Sequence, residues 1–161
     1  MIMDGHMSKN DWTSLKLSIR VIGPDINCDA IDELFGVKHT RFTKRGSKLS
    51  PSFPAARNDF WVFRVGEVEI NEDLDLFRRC ELFLNSKTEQ FQYIRQTLGF
   101  RCEVYISHHS SLAQGGLDID ASFLSAMALS GVVLKLSLLM WGGIVDDSAD
   151  PVWSQKKDEL D

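Results

Sequence analysis

Leu15-Lys16-Leu17-Ser18-Ile19-Arg20-Val21 decides the fold. Four apolar side chains alternate with three polar ones, the period-two pattern of a strand with one buried face and one wet face. Gly23-Pro24-Asp25 ends the pattern, and Asn27 is placed to cap a helix whose apolar stripe is Ile31, Leu34 and Phe35. Asp29 sits at the positive end of that helix, and Gly36 suits the left-handed position that closes it before Val37. The same order returns later in the chain. Cys102, Val104 and Ile106 alternate with Arg101, Glu103 and Tyr105, and a loop follows from His108 to Gly116. Asp120 then opens a helix with Leu124, Met127 and Ala128 on its expected inner face. Gly131-Val132-Val133 leads into a last strand in which Val132, Leu134, Leu136, Leu138 and Met140 face one way, Lys135 and Ser137 the other.

Between the two units, Lys44-Arg45-Gly46-Ser47-Lys48 and Ser50-Pro51-Ser52-Phe53-Pro54 predict a long exposed loop over 44–57. Phe60-Trp61-Val62-Phe63-Arg64-Val65 predicts a strand with Trp61, Phe63 and Val65 on one side. Asn71, Glu72 and Asp73 start a helix in which Leu74, Phe77, Glu81 and Leu84 mark the helical spacing, with Cys80 and Phe83 beside them. Ser86-x-x-Glu89 has the form of a capping box for a second helix, with Phe91, Ile94 and Leu98 inward and Gly99 at its end. One-sided strands and short helices imply an α+β domain: a mostly antiparallel or mixed sheet with helices packed on one face. The two similar halves suggest a pseudo-duplication of split strand-helix-strand (ferredoxin-like) units.

A chain of 161 residues with ordinary globular composition can bury one sizeable core, so a single domain over 11–143 is expected. Residues 1–10 read as a tag remnant around Gly5-His6-Met7, and 144–161 as an acidic tail. The apolar run Val132–Trp141 is broken by Lys135 and Ser137 and is shorter than the roughly 20 residues a membrane-spanning helix needs. The N-terminus lacks the basic and apolar regions of a secretory signal, and Lys157-Asp158-Glu159-Leu160 is followed by Asp161. Cys28, Cys80 and Cys102 form no C-x-x-C pair, which points to free thiols and a cytoplasmic setting. A net charge of −5 disfavours a general nucleic-acid binder.

No catalytic, cofactor or metal set stands out. His108-His109 with Asp118 and Asp120 offers ligand chemistry, but adjacent residues on extended chain point to opposite sides. Ser110 and Ser111 beside His109 lack a nucleophile elbow and an oriented third member, and Gly115-Gly116 lacks the spacing of a phosphate loop. The three cysteines fit core positions. Two charge clusters remain. Lys38, Arg41, Lys44, Arg45 and Lys48, with His39 among them and Arg64 as an added candidate, form a basic stretch able to hold phosphate or another anion. Glu67, Glu69, Glu72, Asp73 and Asp75 form an acidic segment suited to steering a basic partner, and Trp153 in the tail is a candidate interface anchor.

Leu17-x-Ile19, Pro24-Asp25, Ile31-x-x-Leu34-Phe35-Gly36-Val37-x-x-Thr40, Lys44-x-Gly46 and Trp61 resemble a bacterial family catalogued only as a domain of unknown function. Leu117-x-Ile119, Leu124, Ala128, Gly131-Val132 and Leu134-x-Leu136 fit the end of the same pattern, which spans about residues 14 to 140. The resemblance implies a small α+β protein of bacterial cytoplasm with no established enzymatic chemistry, and small acidic proteins of this kind often serve as immunity proteins. The leading expectation is therefore a non-enzymatic, cofactor-free protein-binding domain that neutralises a toxin by occlusion. The alternative is a ligand- or nucleic-acid-binding regulatory domain using the basic 38–48 loop, and no membrane partner is expected.

Overall fold

The alternating stretch forms β1 (Thr13–Gly23), in which Leu15, Leu17, Ile19 and Val21 expose 1% or less of their surface. The structure, a computed structural model, describes residues 13–48, 50–69, 73–110 and 117–140. After β1 come α1 (Cys28–Phe35), β2 (Arg41–Thr43), β3 (Asp59–Glu69), α2 (Asp73–Ser86) and α3 (Thr88–Gln96). β4 (Arg101–Ser110), α4 (Ala121–Ser130) and β5 (Val133–Met140) follow. The sheet runs β2-β3-β1-β4-β5. β1 is antiparallel to both β3 and β4, β2 is antiparallel to β3, and β5 lies parallel to β4. The protein is thus the expected α+β domain, its mostly antiparallel sheet covered by helices on one face.

The duplication takes a form that local signals do not reveal. β1-α1-β2 is a split unit, with β3 inserted between its parallel strands, and β3-α2-α3-β4 is the second, with β1 inserted. The recurrence beginning at Arg101 is instead β4-α4-β5, whose strands are direct neighbours, added at the sheet edge. Both units beginning at β1 and β4 carry a strand, a loop and a Gly-closed helix, but which strand inserts between them is a tertiary matter.

Asn27 caps α1 as expected, its side-chain oxygen accepting from the Ala30 N–H at 3.1 Å, and Gly36 closes the helix at φ +68°. The expected capping box at Ser86 does not form. Its hydroxyl donates back to the Phe83 carbonyl, and α3 starts at Thr88, whose hydroxyl donates to the Leu84 carbonyl. In α4 the buried residues are Phe123, Ala126, Met127 and Ser130, while Leu124 and Ala128 face solvent. That rotation relative to expectation follows from the helix being apolar all round, so that hydrogen bonds decide its phase. Ser130 donates to the Leu84 carbonyl at 3.2 Å, and Ser122 donates to the buried Glu81 carboxylate at 3.2 Å.

Phe35 lies at the centre of the core, its ring 5.3 Å from Trp61, 5.7 Å from Phe83 and 4.8 Å from Phe91. The register of β3 against β1 slips by one residue at Val65, since Leu17 pairs with Gly66 and Ser18 with Arg64. Gly66 lets α2 approach closely there, since a Cβ would meet the Leu76 side chain at 2.7 Å and push it aside. The 44–58 connection is pinned rather than loose: Gly46 N–H donates to the Ala56 carbonyl and Ala56 N–H to the Ser47 carbonyl, both at 2.8 Å. The Asp59 carboxylate adds bonds from the Ile26 and Arg45 N–H groups at 2.9 and 2.6 Å. Leu136 and Leu138 of β5, expected to face inward, stay about half exposed at the edge. No helix among the described residues is long and apolar enough to cross a membrane.

Candidate anion-binding face

The same alternation that buries one side of β1 places Lys16, Ser18 and Arg20 on the side away from the helices. Register then assembles rows across the sheet. Arg41, Val62, Arg20 and Glu103 form one; Arg64, Ser18, Tyr105 and Lys135 form the next. Glu67, Lys16, Ser107 and Ser137 form a third, with His109 opposite Ser14 beyond it. A protein of net negative charge thus carries a largely cationic sheet face.

Arg20 is the centre of that face. Its guanidinium carbon lies 3.3 Å from the centroid of the Tyr105 ring, a stacked cation–π contact, and its Nε is buried without a hydrogen-bond partner. Burial is the largest influence on Arg20 and lowers its pKa, Tyr105 and Glu103 oppose that, and Arg41 adds like-charge repulsion. An arginine keeps its proton under such pressures, so the cost falls on leaving a cation incompletely solvated. Cross-strand Glu103 is itself buried and engaged by Arg101 at 2.8 Å. Among the described residues neither Arg20 nor Arg41 has an ion-pair partner within 4 Å.

Two adjoining hollows share Arg20, Arg41 and Val62 as walls. The first, about 230 Å³, lies over Lys16, Ser18, Arg64, Tyr105 and His109. The second, about 580 Å³, runs under the 44–58 connection and is lined by Phe53, Pro54, Phe60 and Arg57. Together they make a groove cationic at one end and apolar at the other, an arrangement suited to a ligand with an anionic group joined to a planar or apolar body.

The basic stretch read from sequence does not converge. Arg41 joins the sheet face, but Lys38 turns to Asp32 at 3.1 Å and Asp29 at 3.8 Å, and Arg45 to Asp25 at 3.7 Å. Lys44 and Lys48 are exposed on the loop. The acidic segment is also dispersed: Glu67 pairs with Lys16 at 3.0 Å and Arg64 at 3.5 Å, and Asp75 with Arg79 at 3.0 Å. Glu72 and Trp153 lie outside the described residues, as do the side chains of Glu69 and Asp73. His108 and His109 do point apart, His108 into the core and His109 to the open face, where it bonds the Ser107 hydroxyl at 2.9 Å.

Cys80 and Cys102 are core residues as expected, and burial pushes each thiol up to about 12. Cys28 is not. Its sulfur lies 3.2 Å from His39 Nδ1, the same nitrogen that meets Asp32 Oδ2 at 2.9 Å. Asp32 Oδ1 accepts from the Trp61 indole N–H at 2.8 Å and the His39 backbone N–H at 2.9 Å. Burial pushes the Asp32 carboxyl up, but the bonds from Trp61, His39 and Lys38 outweigh it and hold the group at about 2. The sulfur lies nearer Nδ1, at 3.2 Å, than Nε2, at 3.7 Å, so thiol and carboxylate crowd the same imidazole nitrogen instead of holding opposite ones as a nucleophile–base–acid relay does. Burial and the carboxylates of Asp32 and Asp29 also push the Cys28 thiol up, away from the reactive thiolate.

Arg20 and Tyr105, the key residues of the open face, were visible in sequence only as wet-side positions of two strands. The signal that joins them is the β1–β4 register, which pairs Ser18 with Tyr105 and Arg20 with Glu103. The Cys28-x-x-x-Asp32 spacing places two ligand-type side chains on one helix face, and His39 returns to them after the Gly36 reversal.

A family model described as "Domain of unknown function (DUF4279)" matches residues 13–141, which takes in every element from β1 to β5. No curated protein and no solved structure matches the chain.

Proposed function

The chain belongs to the DUF4279 family, and from that premise we propose that it is a binding domain rather than an enzyme, whose open sheet face holds an anionic ligand with an apolar or aromatic part. The observation that carries this reading is Arg20: a stacked, half-buried guanidinium with an unpartnered Nε, flanked by Arg41 and by apolar groove walls. A planar guanidinium of this kind suits bidentate recognition of phosphate or carboxylate, and Tyr105 fixes its plane in advance. The groove floor at Phe60 and Val62 and its lip at Phe53 would then cover a base or ring. The toxin-neutralising role in a bacterial cytoplasm draws less support, because Glu67 and Asp75, two acids expected to steer a partner, are already spent on internal pairs.

Calorimetric titration with inorganic phosphate, adenosine 5′-monophosphate and a short oligouridylate, at low and moderate salt, tests the reading. Binding is expected for at least one nucleotide probe, weakening with salt. Arg20→Ala and Arg41→Ala should each weaken it roughly 10- to 100-fold, the worth of one charge-assisted hydrogen bond, while Arg45→Ala and Lys48→Ala leave it unchanged. Equal loss in all four variants would point to diffuse electrostatics and count against the face as the site.

A further inference from the structure

We propose that Cys28, Asp32 and His39 form a divalent-cation site of zinc type, separate from the anion groove. The two lie on opposite sides of the sheet: Trp61, which anchors Asp32, points into the helix-covered face, and its neighbour Val62 lines the groove.

The donor set is one thiol, one imidazole and one carboxylate, the ligand types of a three-residue zinc site with an open fourth position. One ligand atom from each lies within 4.8 Å of the other two. The sulfur is 3.2 Å from His39 Nδ1, which is 2.9 Å from Asp32 Oδ2. Tetrahedral coordination at ordinary zinc–ligand lengths sets such edges at roughly 3.3–3.6 Å, so the two edges that meet at His39 Nδ1 need to open by only a few tenths of an ångström, and the third, within 4.8 Å, lies in reach of a side-chain adjustment. The carboxylate is divided by role. Oδ1 accepts from the Trp61 indole and the His39 backbone N–H, as outer partners hold a metal-bound carboxylate, and lies 3.1 Å from His39 Nδ1, slightly farther than Oδ2 does. Oδ2 faces only the His39 ring and Lys38 Nζ, 3.1 Å away on a side chain 74% exposed. A mobile cation therefore stands where the ion would sit, and its departure into solvent costs little. The metal replaces the Cys28 thiol proton, which leaves to solvent, so that the sulfur binds as thiolate, and it takes the Nδ1 lone pair of a neutral His39 imidazole whose hydrogen sits on Nε2.

The test uses the full chain, stripped with chelator and titrated with Co²⁺, then back-titrated with Zn²⁺. One equivalent of Co²⁺ should give a thiolate-to-metal charge-transfer band with the intense visible bands of a tetrahedral ion, bleached by Zn²⁺. Cys28→Ser should abolish the charge-transfer band, and His39→Asn should weaken binding at least ~10-fold. Lys38→Met removes the competing cation, sits on the surface and should tighten binding; it keeps the proposal falsifiable if either ligand variant folds poorly. No thiolate band in the unsubstituted chain, a band that survives Cys28→Ser, or unchanged affinity in Lys38→Met would each overturn the assignment.

Discussion

Phe35→Ala is expected to cost ~4 kcal/mol of folding stability, the largest single-residue loss we anticipate. Phe35 has no exposed surface and touches rings from three other elements: Trp61 of β3, Phe83 of α2 and Phe91 of α3. Removing it deletes a large apolar surface and leaves a hollow that these rings cannot close together, because each is fixed by its own helix or strand. Measured against a total stability of about 5–15 kcal/mol for a domain, the variant would sit near its unfolding threshold at ambient temperature. Urea denaturation followed by far-UV circular dichroism reads the effect; a loss under ~1.5 kcal/mol would mean that Phe35 is not the keystone of this core. Phe53, exposed at the groove lip, serves as the aromatic control and should be near neutral for stability.

Asp32→Ala should cost ~3 kcal/mol at neutral pH, measured in chelator so that no metal contributes. The substitution strands the indole N–H of Trp61, which is fully buried, and removes the acceptor of both His39 donors. Part of that sum is ionisation. A carboxyl held at about 2 when folded, against an ordinary value near 3.8, contributes ~2 kcal/mol that is complete above pH 5. Because the folded value is the lower one, the contribution fades as pH falls through 4 toward 2. The gap between the unsubstituted protein and Asp32→Ala should therefore narrow by roughly two-thirds of that amount between pH 6 and pH 2.5, and a gap independent of pH would refute the depressed carboxyl. Asp32→Asn keeps an acceptor for the indole and should cost less than the alanine.

How much of this was legible in the sequence depends on whether each feature is local. β1 was legible because one-sided burial writes itself into alternation, and α1 because Asn27 and Gly36 are local stop signals that formed as read. α4 was rotated because Ala-Ser-Phe-Leu-Ser-Ala-Met-Ala-Leu-Ser offers apolar residues on every side, so tertiary contacts, above all those with α2, fix its phase. The basic stretch does not gather into one cluster for a related reason. Nearness along the chain is not nearness in space when a short strand and a turn send Lys38, Arg41 and Arg45 to three different acceptors or faces. The groove itself lay hidden because its parts, Arg20, Arg41, Arg64 and Tyr105, come from four strands whose order no local pattern encodes.

The position of β1 has a consequence for how the chain is made. Of the described strands, β1 leaves the ribosome first and becomes the middle of the finished sheet, and its partners begin at Asp59 on one side and Arg101 on the other. Thr13 meets Ser110 only after 97 further residues have been added. Until Glu69 has been made β1 has both backbone edges open, and until Ser110 has been made one edge still lacks its partner, so folding is governed by distant closure. A nascent chain stalled before Arg101 holds one of its two central ladders unmade, which marks that length as the point of greatest exposure to chaperones and to aggregation.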